Sequence, residues 1–356
     1  MPEGPVRGAF SFLASPHQLA RTLTSGRASA MRAYAPPATA ASRMNRGSTS
    51  RTLRSANSLA SARPATLSLV TTHGFPDYAL LDSGGGRKLE RFGTLTVDRP
   101  EPQAMWQPRL PAKWSTAHAV FSGGEDEEKG RWRIDKPVPE SWPVKVAGVT
   151  MLCRLSAFRH LGLFPEQLPH WEWMLECLRR VTGGRPRVLN LFAYTGAASL
   201  IAAKAGAEVV HVDASKKAIA WARENQAASR LSDAPIRWIL DDARKFAARE
   251  VRRGRTYHMI LVDPPKFGRG PANEVWELFE HLPGLLQDCA RLLDPVCAHL
   301  CLTAYAIRAS ALSIDGLVRE VLAGRGGQIE SGELAIIEQS GGRALGTSLF
   351  TRWSSP

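Results

Sequence analysis

From residue 187 onward the chain alternates short apolar runs with helical stretches, and that rhythm limits the architectures open to it. Residues 187–192, 208–212, 236–240, 258–262 and 298–303 read as strands rich in Val, Ile and Leu. Between them lie a small-residue helix over 196–204, stopped at Gly206, and helices over 215–230 and 242–252. A stretch over 274–293 reads as helical but broken at Pro283-Gly284, and another helix is expected around 314–322. Apolar strands joined by helices imply a parallel sheet covered on both faces, a doubly wound α/β fold. Two last strand candidates, 329–338 and 347–353, are joined by Gly341-Gly342 and read as an antiparallel hairpin at one edge. The expected sheet is therefore mostly parallel and seven-stranded. Upstream, Pro169 opens a helix with a stripe of Trp171, Met174, Leu175 and Leu178, and Gly183-Gly184 stops it.

In open α/β sheets, ligands bind beyond the carboxyl ends of the strands. Here four such ends carry chemistry. The first runs into Asn190-Leu191-Phe192-Ala193-Tyr194-Thr195-Gly196, a turn that brings backbone N–H groups to an anionic ligand at a helix N-terminus. It has one glycine where a dinucleotide fingerprint has three. The second ends in Asp213-Ala214, with Asp213 lying 17 residues beyond Gly196. That is near the offset of about 20 at which an acid binds ribose hydroxyls. The third ends in Asp241-Asp242-Ala243, where an acid can accept from an adenine amino group. Asp213 and Asp242 each have a competing structural role as the N-cap of the following helix.

The fourth end, Asp263-Pro264-Pro265-Lys266-Phe267, is the most specific feature of the chain. Two prolines fix the backbone and remove two donors, so the carbonyl before them needs another partner. Asp263 and that carbonyl form an acceptor pair suited to a planar nitrogenous group, and Phe267 offers a stacking face.

Taken together, Phe192–Gly196, Asp213-Ala214-Ser215, Asp241-Asp242-Ala243 and Asp263–Phe267 resemble the bacterial ribosomal RNA methyltransferases. That family includes the 23S rRNA cytosine-C5 methyltransferase. Leu161-Gly162-Leu163-Phe164-Pro165-Glu166-Gln167 is similar to the segment ahead of its cofactor loop. The resemblance runs over 161–303 and more loosely to the end. It implies a class I, Rossmann-like methyltransferase using S-adenosylmethionine (SAM). On that resemblance Tyr194, Thr195 and Gly196 flank the methionine part of SAM, Asp213 the ribose and Asp242 the adenine, Asp263 sits near the methyl group, and Gln167 lies at the cofactor edge. Asn190, Phe192, Ala214 and Ala243 are further cofactor-binding candidates. The catalytic run is then Asp263, Pro264, Lys266 and Phe267, positioning the target base.

One departure matters. Methylating C5 of a pyrimidine needs a thiolate to attack C6. The C5-methylating member carries its cysteine in a Ser-Cys-Ser-type run after the fifth strand, where this chain has Leu302-Thr303-Ala304-Tyr305-Ala306. Cys301 falls inside the strand and reads as a buried apolar residue. Methylation of a ring or exocyclic nitrogen needs no covalent step.

The chain ahead of residue 162 has another texture. Nine arginines against one acid, Glu3, give residues 1–63 a charge of +8 out of the net +13, leaving +5 for the rest. This stretch shows no apolar periodicity and is expected to be disordered. It fits a transit peptide, a sequence upstream of a true start at Met31 or Met44, or an RNA-gripping arm. Residues 64–161 read as a small β-rich module, a candidate for substrate recognition, with strand runs at 78–81, 93–97 and 144–153 and an acidic loop at 123–130. Its tryptophans, Trp106, Trp114, Trp132 and Trp142, either stack on bases or fill a core, packing being the plainer reading. Residues 162–356 form the SAM-binding domain.

The five cysteines form no C-x-x-C pair, so neither a zinc site nor a disulfide framework is expected. No apolar run reaches the roughly 18 residues of a membrane span. The leading expectation is a cytoplasmic SAM-dependent methyltransferase of RNA, with rRNA as partner, or an organelle-matrix one if the leader is a transit peptide. The alternatives are methylation of a small molecule or protein, and a non-catalytic RNA-binding protein that retains SAM. An NAD oxidoreductase is disfavoured by the single-glycine loop and the third acid.

Overall fold

The computed structural model of the chain describes residues 66–123, 130–305 and 307–356. The basic leader at 1–63 and most of the acidic loop at 123–130 lie outside the described residues.

The chain begins with β1 (Leu67–Thr72), β2 (Tyr78–Gly84), β3 (Arg87–Phe92) and β4 (Leu95–Pro100). A short helix α1 (Pro111–Trp114) precedes β5 (Ala119–Gly123), β6 (Gly130–Ile134), β7 (Trp142–Val146) and β8 (Val149–Cys153). A 3-10 turn at Pro165–Gln167 leads into α2 (Leu168–Arg179). The alternating part follows as β9 (Arg187–Leu191), α3 (Ala197–Lys204), β10 (Glu208–Asp213), α4 (Lys216–Ala228), β11 (Ile236–Leu240), α5 (Ala243–Arg252) and β12 (Met259–Val262). The chain closes with β13 (Phe267–Arg269), β14 (Val275–Glu277), α6 (Leu278–Leu292), β15 (His299–Tyr305), α7 (Ala311–Val321), β16 (Gln328–Ile337) and β17 (Ala344–Ser354).

The expected doubly wound sheet is present, with order β1-β16-β17-β15-β12-β9-β10-β11. It has eight strands rather than seven. β1 pairs parallel with β16, from Leu67↔Ser331 to Thr72↔Ile336, and takes the edge expected for the last hairpin. β17 lies between β15 and β16, antiparallel to both. Glycine at 332 makes β1 possible, because a Cβ there would fall 1.7 Å from the Ser68 carbonyl oxygen. The upstream segment therefore contributes a strand to the large sheet, and the described residues from 66 onward form one compact unit.

Two further expectations are corrected. Residues 144–153 are not one strand but the hairpin of β7 and β8, turned at Ala147 and Gly148, which both adopt positive φ. The helix expected over 274–293 and broken at Pro283 starts later and is unbroken. Trp276 Nε1 donates to the Pro265 carbonyl at 2.7 Å, and Lys245 holds Glu274 at 2.6 Å, which draws residues 275–277 into a strand. Pro283 then falls near the start of α6, where it removes one hydrogen bond while Leu282, Leu285, Leu286 and Cys289 bury the helix across it.

Burial alternates along each central strand. Val188, Met259, Leu261 and Cys301 pack with α2, α3 and the N-terminal strands, including Tyr78, Phe92 and Trp142. Leu189, Leu191, Ile260, Val262, Leu300 and Leu302 pack with α5, α6 and α7. The four N-terminal tryptophans serve packing and internal bonding. Trp142 is buried, and the indole N–H groups donate to Ser83, Asp82, the Ser156 carbonyl and the Phe92 carbonyl.

Candidate active site

Strand alternation decides what faces the site. Continuing it, Asn190, Asp263, Thr303 and Tyr305 fall on the α2–α3 side, together with Leu261 and Cys301. A cavity of about 70 Å³ opens there. Its lining includes Gln167, Asn190, Phe192, Tyr194, Thr195, Gly196 and Asp263, so the structure brings these sequence-derived candidates together. Gly162, Phe164, His170 and Cys301 complete much of the wall. Asp213, Ala214, Asp242 and Ala243 are not part of that lining and lie at the ends of the next strands.

The loop after β9 is tightly folded. Phe192 has φ +56°, Tyr194 +48° and Gly196 +87°, and positive φ on two aromatic residues stores strain of the kind kept at ligand sites. Asp213 holds this shape by accepting from Tyr194 N at 2.8 Å and from Ser215 N at 2.8 Å. It is not the cap of α4, because Ser215 accepts from Ala218 N instead. Burial raises the Asp213 carboxyl, and the two N–H donors oppose that rise. Thr195 Oγ1 donates to the Gly162 carbonyl at 2.6 Å, tying the loop to the segment before α2. Asn190 turns its amide to Ser199 Oγ at 3.0 Å, and His211 Nδ1 lies 3.0 Å beyond. Burial lowers His211 to about 3, so this chain of polar groups is neutral.

Asp242 does take its competing role, capping α5 by accepting from Lys245 N at 3.0 Å. Asp241 accepts from Asp242 N and pairs with Arg249.

Asp263 is the chemically unusual group. Gln167 Nε2 donates to its Oδ2 at 3.0 Å, while Oδ1 is buried with no partner. Burial pushes the Asp263 carboxyl up to about 8, the Glu166 charge adds to the rise, and the Gln167 hydrogen bond opposes it. Pro264 is buried, and the Pro265 carbonyl is taken by Trp276, whose ring packs 4.8 Å from that of Phe192. Lys266 and Phe267 are exposed, Phe267 at 54%, and neither is part of the cavity lining.

Sequence reasoning did not single out Glu166 and Tyr305, which are not part of the cavity lining but act on it, Glu166 through its charge on Asp263 and Tyr305 through Gln167. Gln167 Nε2 also donates to Tyr305 Oη at 2.6 Å, across 138 positions of chain. No local pattern signals such a pairing. Cys301 lines the cavity, yet it is 3% exposed and burial pushes its thiol up to about 12.

Comparison with known proteins bears on the family and the fold. Residues 120–320 match the family model described as S-adenosylmethionine-dependent methyltransferase. A solved SAM-dependent methyltransferase from Agrobacterium tumefaciens is 51% identical, with a TM-score of 0.78, over 82% of this chain and 96% of that one. A methyltransferase from Streptococcus mutans, 17% identical with a TM-score of 0.60 over 78% and 75% of the two chains, shares the fold. Among curated proteins, the ribosomal RNA large subunit methyltransferase K/L of Hahella chejuensis is 34% identical over 154 residues. That match covers 43% of this chain and only 20% of the relative's length. A doubly wound sheet, a strained loop after β9, acids at the next three strand ends and a family match over more than half the chain lead to one assignment: the chain belongs to the S-adenosylmethionine-dependent methyltransferases.

Proposed function

We propose that this chain methylates a nitrogen of an RNA base, with ribosomal RNA as the substrate, in the cytoplasm. The observation that carries the reading is Asp263 Oδ1, a buried acceptor without a partner on the wall of the cavity. Ionised, as the positive sulfur of bound SAM would hold it, that oxygen calls for a donor from a ligand. The K/L relative, which acts on ribosomal RNA by its name, supports the choice of acceptor.

The residues fit the family's cofactor. The positive-φ loop at Phe192–Gly196 presents backbone at the N-terminus of α3, where the methionine part of SAM would be held. Asp213 keeps lone pairs beyond the two it gives to backbone N–H groups, enough for ribose hydroxyls. Asp242 and Ala243 would border the adenine. When bound, SAM supplies an electrophilic methyl group on a positively charged sulfur.

The rest is positioning. Asp263, with Pro264 and Pro265 fixing its frame, accepts an N–H of the base and sets the reacting lone pair in line. The base nitrogen would take the methyl group that SAM supplies, with SAH as the leaving group. An exocyclic amine then gives up one proton, which leaves to solvent. Lys266 and Phe267 are assigned to the RNA around the target rather than to the base itself. The 64–161 segment is assigned to substrate recognition. C5 chemistry is disfavoured, because the buried Cys301 thiol stays protonated and no cysteine occupies residues 302–305.

The test is mass spectrometry of ribosomal RNA nucleosides from a deletion strain and its parent. Loss of a modified base in the deletion strain, restored by the wild-type gene and not by Asp263→Ala, is the expected result. An unchanged nucleoside profile would remove the RNA reading.

A further inference from the structure

Tyr305 stands at the end of β15, in the run where the C5-methylating family carries its nucleophile. Alternation from Cys301 through Thr303 puts it on the same side of the sheet as Asp263. Gln167 bridges the two, with one Nε2 hydrogen to Asp263 Oδ2 at 3.0 Å and the other to Tyr305 Oη at 2.6 Å. Phe164, which lines the cavity, packs its ring 5.6 Å from that of Tyr305 and 5.6 Å from that of Tyr194. The phenol is thus fixed by two contacts from the segment before α2.

We propose that Tyr305 is a specificity-determining residue for the methyl acceptor, its O–H donating to a carbonyl oxygen or ring nitrogen of the base held by Asp263. The phenol oxygen accepts from the Gln167 amide and also interacts with the Ser348 side chain on the neighbouring strand, and in both contacts it can serve as acceptor, keeping its own proton to give. Burial drives the Tyr305 phenol well above its ordinary value, so it acts as a donor and not as a nucleophile. Asp263 Oδ1, unpartnered, supplies the acceptor beside it. The pair reads two adjacent points on a planar edge, which one carboxylate alone cannot do. A site built to bond such an edge rejects analogues lacking it, because its buried polar groups are then left unpaired.

This assignment rests on an RNA base being the acceptor. The experiment labels ribosomal RNA from the deletion strain with tritiated SAM, using wild type, Tyr305→Phe and Gln167→Ala, and measures SAH binding by calorimetry. For Tyr305→Phe, kcat/KM toward the RNA should fall about 10²-fold, as for loss of one preorganised donor. SAH binding should stay at the wild-type level, and the variant should stay folded with a melting temperature lowered by only a few degrees, about the cost of the Gln167 N–H left unpaired. Gln167→Ala should lose turnover at least as severely. No labelling by the wild type would remove the RNA reading and this assignment with it. Labelling by wild type and Tyr305→Phe alike would remove this assignment alone, as would an equal loss of SAH binding in Tyr305→Phe.

Discussion

Gln167 donates to one oxygen of Asp263 at 3.0 Å and leaves the other buried without a partner. That asymmetry makes Asp263 a site of stored cost. Its carboxyl titrates near 8 in the fold, against about 3.9 in an unfolded chain. The folded state therefore binds more protons than the unfolded state between those values, and stability falls as pH rises through that window. Asp263→Asn keeps the shape and cannot ionise. It should melt close to wild type at pH 5 and above it at pH 8.5, while turnover is lost. Wild type and variant tracking each other across the whole range would contradict the assigned environment.

The same group predicts a difference between cofactor and product. A positive sulfonium near Asp263 favours its ionised form, so SAM binding at pH 7 should expel its proton. SAH has lost the sulfonium charge and should leave the carboxyl protonated. Calorimetry in buffers of different ionisation enthalpy measures the released proton directly. SAM should release more than SAH, and Asp263→Asn should abolish the difference. Equal release by both ligands would move Asp263 away from the methyl position.

The parts of the molecule readable from sequence are those built from local pattern. The β9–β12 strands announce themselves because each is a short apolar run closed by an acid or a glycine turn. Asp213, Asp242 and Asp263 lie where that pattern puts them. What was hidden depends on distant partners. β1 is six residues with one face exposed, and it becomes a strand only by meeting β16 more than 260 positions later. Tyr305 becomes part of the site only through Gln167. Residues 274–277 read as the start of a helix, because apolar spacing cannot show that the Trp276 indole will be drawn to the Pro265 carbonyl.

Gly162 illustrates how the N-terminal segment is locked to the cofactor loop. It has φ +98°, and a Cβ there would meet Trp221 Cζ2 at 2.3 Å. Trp221 cannot yield easily, since its Nε1 donates to the Leu152 carbonyl at 2.7 Å and Arg154 lies 4.6 Å over its ring. Gly162→Ala should therefore destabilise the fold by about 2–4 kcal/mol, combining left-handed strain with overpacking. Because Thr195 bonds the Gly162 carbonyl, SAH binding should weaken as well. Urea unfolding and SAH calorimetry check both. A fully stable Gly162→Ala with wild-type SAH affinity would show that the contact gives way without consequence.

Cys301 decides between covalent and direct transfer. It lines the cavity, so a nucleophilic role has to be tested rather than dismissed on distance. Against that role, burial pushes its thiol up to about 12, so it stays protonated at pH 7. The strand also fixes it between Leu261 and Arg352, with no freedom to advance on a base. Cys301→Ala should keep turnover within about twofold of wild type while costing about 1–2 kcal/mol of stability through the small cavity left behind. A dead but folded Cys301→Ala, together with an RNA adduct trapped on the wild type and absent from the variant, would restore C5 chemistry and overturn transfer to nitrogen.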